Sequence, residues 1–304
     1  MNIDQNTNWH QTVPLFTLLG ALLLIVLLVC WPKSSFAQTS SARALFADNK
    51  AGILQIRIID ITSGSKSAIG SGFVVKDSGL IATNYHVVQM AASKPEQYRI
   101  EYLNASGAAN SLTLVDVDVI NDLALVQASG EITPVLPLAI TEPPIGVTVY
   151  ALGNPLDLGL TVVPGTYNGI NQTSYHPRVH FTGSLNSGMS GGPTLNQAGE
   201  VVGINVSTAG NQVSFLVPVT ALQTLLAEHQ LRGTGAENIR QRIGQQLIAD
   251  QENKFARLLA LEWPTIALGK AVVVNELSPF FRCWGGSNSS SEKAQLLNAA
   301  RPCR

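Results

Sequence analysis

Ser190 stands in the run Asn186-Ser187-Gly188-Met189-Ser190-Gly191-Gly192-Pro193, where residues without Cβ bracket a hydroxyl. Such a backbone can turn sharply, take up positive φ and aim two N–H groups at one point. A serine held there is suited to attack an acyl carbon, provided that a base removes its proton. His86, in Thr83-Asn84-Tyr85-His86-Val87, can supply a neutral imidazole as that base. Asp122, which opens Asp122-Leu123-Ala124-Leu125-Val126, can hold the ring in one tautomer and stabilise it once charged. The three residues are 36 and 68 positions apart, so only a tertiary fold can bring them together.

The elements that must position them are legible. Gly70 to Val75, a turn at Lys76-Asp77-Ser78-Gly79 and the apolar run from Leu80 to Val88 read as a hairpin that ends by presenting His86. Asp122 begins a further apolar strand. Its neighbours Asp116 and Asp118 alternate with valines in Val115 to Ile120, which predicts a strand with both carboxylates on its solvent face and leaves Asp122 as the partner of His86. Glycine punctuates short apolar runs from 51 to 220, the pattern of many short antiparallel strands rather than βαβ units. Charged residues are 13% of the chain against about 25% in typical domains. With a net charge of −1 and no basic cluster, nucleic-acid binding has no electrostatic support. His176 and His180 lie four apart across Pro177, which rules out a helical ligand pair; no third ligand is evident, so no metal and no cofactor is expected.

The order His86, Asp122, Ser190 is that of the chymotrypsin-type triad. Around it, Gly70-Ser71-Gly72-Phe73, Thr83-Asn84-Tyr85-His86-Val87, Asp122 to Val126, Ala151-Leu152-Gly153-Asn154-Pro155 and Gly199-Glu200-Val201-Val202-Gly203-Ile204-Asn205 resemble the HtrA (Deg) branch of trypsin-like peptidases, from about Ala51 to about Leu231. One departure is Met189, where that branch usually has asparagine before the serine; it bears on loop rigidity more than on chemistry. The resemblance implies an all-β, chymotrypsin-like fold of two six-stranded antiparallel barrels, with peptide-bond hydrolysis in the cleft between them. It places the oxyanion donors at the main-chain N–H groups of Gly188 and Ser190. It puts the floor of the substrate pocket near Ser184 and the walls near Asn205, Val206, Ser207 and Phe215, with no carboxylate to pair with Lys or Arg, so small or medium aliphatic side chains are expected there. Unfolded or partner proteins are the implied substrates, and a homo-oligomer is compatible with the branch. Two other roles fit the same residues: a chaperone-like binding module on a protease fold, and a regulatory protease with one dedicated membrane substrate.

Three segments follow: 1–37, a peptidase domain over 43–232 splitting near 140, and an extension over 233–304. Val13 to Trp31 is apolar and uncharged, and as a helix it would span about 28 Å, close to the thickness of a bilayer core. Ser35-Phe36-Ala37 has the form of a signal-cleavage site, yet Met1 to Thr12 holds Asp4 and no Lys or Arg, so cleaved signal and retained anchor both stand. Either reading, with the resemblance, implies an exported, envelope-located protein. In the extension, Ile239, Ile243, Leu247, Phe255 and Leu259 predict an amphipathic helix ended by Pro264, followed by a strand over Ala267 to Leu277. Lys270 to Pro279 echoes a strand of the PDZ domains common in that branch, but no glycine-rich carboxylate-binding loop accompanies it. Cys283 and Cys303 can pair in an oxidising compartment, a loop closure of about 3 kcal/mol, or remain two thiols. Cys30 lacks the small residue before it that lipidation requires.

Overall fold

The computed structural model describes residues 37–104, 107–233 and 238–276, with the short paired strands Gly286–Ser287 and Ala299–Ala300. The apolar run from Val13, the cleavage motif at 35–37 and the cysteines at 30, 283 and 303 lie outside what is described, apart from the main chain of Ala37. Among the described residues, no helix is long and apolar enough to cross a membrane.

Two closed six-stranded antiparallel barrels form the body of the molecule. The first comprises β1 (Ile53–Asp60), β2 (Lys66–Lys76), β3 (Leu80–Thr83), β4 (Tyr98–Leu103), β5 (Ala109–Asp118) and β6 (Leu123–Ala128), closed in the order β1-β2-β3-β6-β5-β4. The second comprises β7 (Thr148–Gly153), β8 (Thr161–Ile170), β9 (Val179–Phe181), β10 (Pro193–Leu195), β11 (Val201–Gly210) and β12 (Val213–Pro218). Among the described residues four α-helices accompany them: α1 (Ala37–Asn49), α2 (Tyr85–Ser93), α3 (Val219–Arg232) and α4 (Ile239–Ala260).

Several first-barrel strands are continuous apolar runs because both of their faces are covered. On β6, Ala124 and Val126 point into the barrel with Leu54, Ile56, Ile58 and Ile81, while Leu123 and Leu125 join a separate core between the barrels. Phe73, Leu80, Tyr150, Leu152, Leu195 and Ile204 complete that inter-barrel core, closed off by Leu45 of α1 and Leu222 and Leu225 of α3. Each such aliphatic side chain removed from water contributes about 1.5–3 kcal/mol. The second barrel fills its interior with Val149, Tyr167, Phe181, Met189 and Leu216. The shared core fixes the barrels' mutual placement.

Four sequence expectations change. The run to Val88 does not stay extended: β3 stops at Thr83 and His86 sits in the first turn of α2. Asp116 is not on a solvent face but only 2% exposed. A β-bulge between Leu114 and Asp116 inserts one residue into the β5–β6 pairing and reverses the alternation that the valines suggest. The helix over Ile239–Ala260 forms, yet only Ile239 and Ile243 pack on the first barrel, while Leu247, Phe255 and Leu259 are exposed. Ala267 to Leu277 is not one strand: β13 (Thr265–Leu268) and β14 (Ala271–Val274) make a hairpin turning at Gly269, whose φ is 62°.

Candidate active site

The first barrel delivers His86 and Asp122 as a bonded pair. His86 Nδ1 lies 2.6 Å from Asp122 Oδ2, and the main-chain N–H of His86 donates to Asp122 Oδ1 at 2.8 Å. The opening N–H groups of a helix have no partner within it. Here Asp122 supplies two of them, its carboxylate accepting from His86 and its carbonyl from Tyr85 at 3.2 Å. A negative charge at a helix N-terminus is also favourable. The adjacent Asn84, the N-cap residue by position, makes no side-chain cap and instead donates its amide to the Asp122 carbonyl at 2.8 Å. Asp122 adopts φ 64°, uncommon for a residue with a Cβ, and the preceding turn is held by Asp118, which accepts from the N–H groups of Ile120 and Asn121. Burial pushes the phenol of Tyr85 up, and the charge of Asp122 adds to that.

The second barrel delivers Ser190 on a loop pressed against the first. The Ser71 N–H donates to the Ser190 carbonyl at 2.7 Å. Gly188 and Gly191 have φ of 94° and 84°, and a Cβ on Gly191 would stand 2.2 Å from the Ser71 carbonyl, so neither turn nor contact tolerates a side chain. Met189, fully buried in the second core, anchors the loop between them. The Ser190 hydroxyl donates to the Val206 carbonyl at 3.3 Å, at the long end for such a bond, so turning away from it gives up little. Among the described residues, the N–H groups of Gly188 and Ser190 have no acceptor, whereas those of Met189, Gly191 and Gly192 are each bonded.

Of the expected pocket residues, Ser184 and Ser207 are exposed and Val206 and Phe215 half-buried. Asn205 is a correction: it is fully buried, with its amide donating to the carbonyls of Leu152 and Met189 and its oxygen accepting from Thr194. It braces the underside of the loop instead of lining a wall. Two contributors had roles that the sequence did not announce, although Ser71 lies within the Gly70-Ser71-Gly72-Phe73 motif. Ser71, fully buried, donates to the Gly188 carbonyl at 2.7 Å and accepts from the Asn154 N–H at 2.9 Å. Leu156 donates its N–H to the Ser187 carbonyl at 2.8 Å. His176 rests edge-on against Tyr175, and burial lowers its pKa. Among the described residues, no group of three or more His, Cys, Asp or Glu is placed to hold a metal ion. A cavity of about 610 Å³ between α2, β4, β5 and the start of α4 lies apart from Ser190.

Residues 70–204 match the model of the trypsin-like peptidase domain. The chain is 34% identical over 181 residues to the serine protease HTRA1 of Xenopus tropicalis, covering 56% of this chain and 38% of that protein. It is 32% identical over 184 residues to a probable periplasmic serine endoprotease, DegP-like, of Halomonas elongata, covering 57% and 37%. Over 248 residues it is 30% identical to the mitochondrial serine protease HTRA2 of Drosophila persimilis, covering 71% and 57%. The chain therefore spans well under two thirds of the length of these relatives. The crystal structure of the serine endoprotease from Yersinia pestis superposes with a TM-score of 0.55 at 26% identity, covering 62% of this chain and 66% of that one.

Proposed function

We propose, from the premise that this chain carries a trypsin-like peptidase domain with HtrA-type serine proteases among its homologues, that it is a serine endopeptidase working through His86, Asp122 and Ser190. The observation that carries the reading is the 2.6 Å bond between His86 Nδ1 and Asp122 on the first barrel, to which the glycine-bracketed loop of Ser190 is itself bonded through the Ser71 N–H. With Nδ1–H given to the carboxylate, Nε2 keeps its lone pair for the serine proton.

Ser190 Oγ attacks the carbonyl carbon of the scissile bond as its proton passes to Nε2. The oxyanion that forms is met by the Gly188 and Ser190 N–H groups. The C–N bond then breaks, with the proton returning from Nε2 to the departing amine and an ester left on Ser190. Water, deprotonated by the same nitrogen, attacks the ester and restores the free hydroxyl. The residues expected around the substrate side chain, Ser184, Val206, Ser207 and Phe215, include no carboxylate, which supports aliphatic over basic side chains there. The periplasmic designation of the Halomonas relative supports an envelope location, with envelope proteins as substrates.

A fluorophosphonate probe tests the assignment. The wild type is expected to label, and Ser190→Ala to lose both labelling and peptide hydrolysis by several orders of magnitude while keeping its circular dichroism. Cleavage by Ser190→Ala at the wild-type rate would refute it.

A further inference from the structure

The oxyanion donors are main-chain groups, so nothing in a side chain aims them directly. In a planar trans peptide the C=O and N–H point opposite ways, so whatever holds the carbonyl aims the amide. The Met189 carbonyl is held from below by the Gly192 N–H at 3.0 Å and the Asn205 amide at 3.3 Å, which directs the Ser190 N–H away from them. The Ser187 carbonyl is held by the Leu156 N–H, which directs the Gly188 N–H. The second of these depends on a turn in a costly shape: Leu156 and Asp157 are consecutive non-glycine residues at φ 50° and 65°. Left-handed residues of this kind cost on the order of 1–3 kcal/mol each and persist only where the surroundings enforce them.

The enforcement comes from the other barrel. The Asp157 carboxylate accepts from the Gln55 amide of β1 at 2.6 Å and forms an ion pair with Lys66 at the start of β2. Gln55 is 8% exposed, so its amide is a buried donor whose partner is this carboxylate. We propose that Asp157 is a positioning residue for the oxyanion site: by tying the turn at 154–158 to the first barrel, it holds the Leu156 N–H on the Ser187 carbonyl and thereby aims the Gly188 N–H into the cleft. This rests on the peptidase reading above. The ion pair with Lys66, then the bond from Gln55, lowers the pKa of Asp157, so the tether stays charged across the neutral range.

Two substitutions separate the tether from the strain. Asp157→Gly accepts the positive φ without penalty but removes the carboxylate, while Lys66→Met leaves the turn's sequence untouched. Outright loss of one oxyanion donor costs about 10²–10³ in turnover, so a misaimed donor is expected to lower kcat by about 10–100-fold, and KM by no more than about twofold either way. Lys66→Arg is expected to restore kcat. Hydrogen exchange by mass spectrometry gives a readout independent of turnover: peptides containing Leu156 and Ser187 to Ser190 are expected to exchange faster together in both variants. Wild-type kcat in Asp157→Gly and Lys66→Met, or exchange at 187–190 that does not follow exchange at 156, overturns the proposal while leaving the peptidase reading intact. Coupled exchange in a chain whose wild type neither labels nor hydrolyses keeps the tether and removes the peptidase reading.

Discussion

The two barrels build their halves of the proposed site by opposite means. In the first, the chemical groups are side chains fixed to one another, with His86 and Asp122 joined twice and the same aspartate capping the helix that carries the histidine. In the second, a hydroxyl and two main-chain amides sit on a loop whose shape is imposed from outside, by Ser71 and Asp157's partners across the cleft and by Asn205 beneath. The first half is self-sufficient and the second is borrowed. Damage to the first is therefore expected to be local and large, and damage to the second graded and traceable to residues far from Ser190.

The sharpest test of the self-sufficient half is Asp122→Asn. One amide oxygen can still accept from the His86 N–H, so the fold should survive, while the amide nitrogen cannot accept from Nδ1–H. The ring then takes the wrong tautomer, and turnover should fall by about 10⁴, the loss known for the equivalent change in trypsin. Steady-state hydrolysis beside a thermal melt reads it; an active, well-folded Asp122→Asn would mean the pair is not the unit described.

Asp116→Ala separates stability from chemistry within the same barrel. Asp116 accepts from Arg232 at 2.6 Å, Arg242 at 2.8 Å and His229 at 3.0 Å, all from α3 and α4. Removing one member of a buried ion cluster typically costs about 3–5 kcal/mol because the remaining charge is stranded. Urea denaturation should show that loss, with kcat of the folded fraction little changed; a loss under about 1 kcal/mol would show that Arg242 finds full compensation in Glu228, 3.3 Å away. The smallest of the three effects is expected on the borrowed side. Ser71→Ala leaves the Gly188 carbonyl and the Asn154 N–H without their buried partner, costing about 1–3 kcal/mol. It should also lower kcat several-fold with KM held, and a kcat at the wild-type value would show that the loop keeps its own shape.

The uneven legibility of the chain follows the same division. The bonding of His86 to Asp122 and the glycine-shaped turn around Ser190 could be read because each of these residues stands next to an element with a strong local signature. Many short antiparallel strands could be read from apolar runs between glycines, while their closure into two barrels came from the resemblance of the motifs. Asp116 could not, since a single bulged residue in β5 reversed its face, and a bulge leaves no mark in a Val-Asp-Val-Asp pattern. Asn205 looked like a wall because its strand borders the cleft, but a strand's two faces differ by one position and its side chain took the inner one. Ser71 and Asp157 act through hydrogen bonds to main-chain atoms or residues about a hundred positions away, for which sequence spacing carries no information.

The bulge that buries Asp116 also decides how this chain could be recombined with others. By motif alone the peptidase unit ends near 204, and by strand content at Pro218, which makes the tail after α3 look like an interchangeable part. Yet Arg242 pairs with Asp116, and Gln246 bonds the main chain at the end of β5 and just past it, donating to the Val117 carbonyl at 2.8 Å and accepting from the Val119 N–H at 2.9 Å. A domain exchanged by shuffling or fusion must therefore be joined beyond residue 246. A junction placed earlier trades away an arginine and a glutamine on which the strand leading to Asp122 depends.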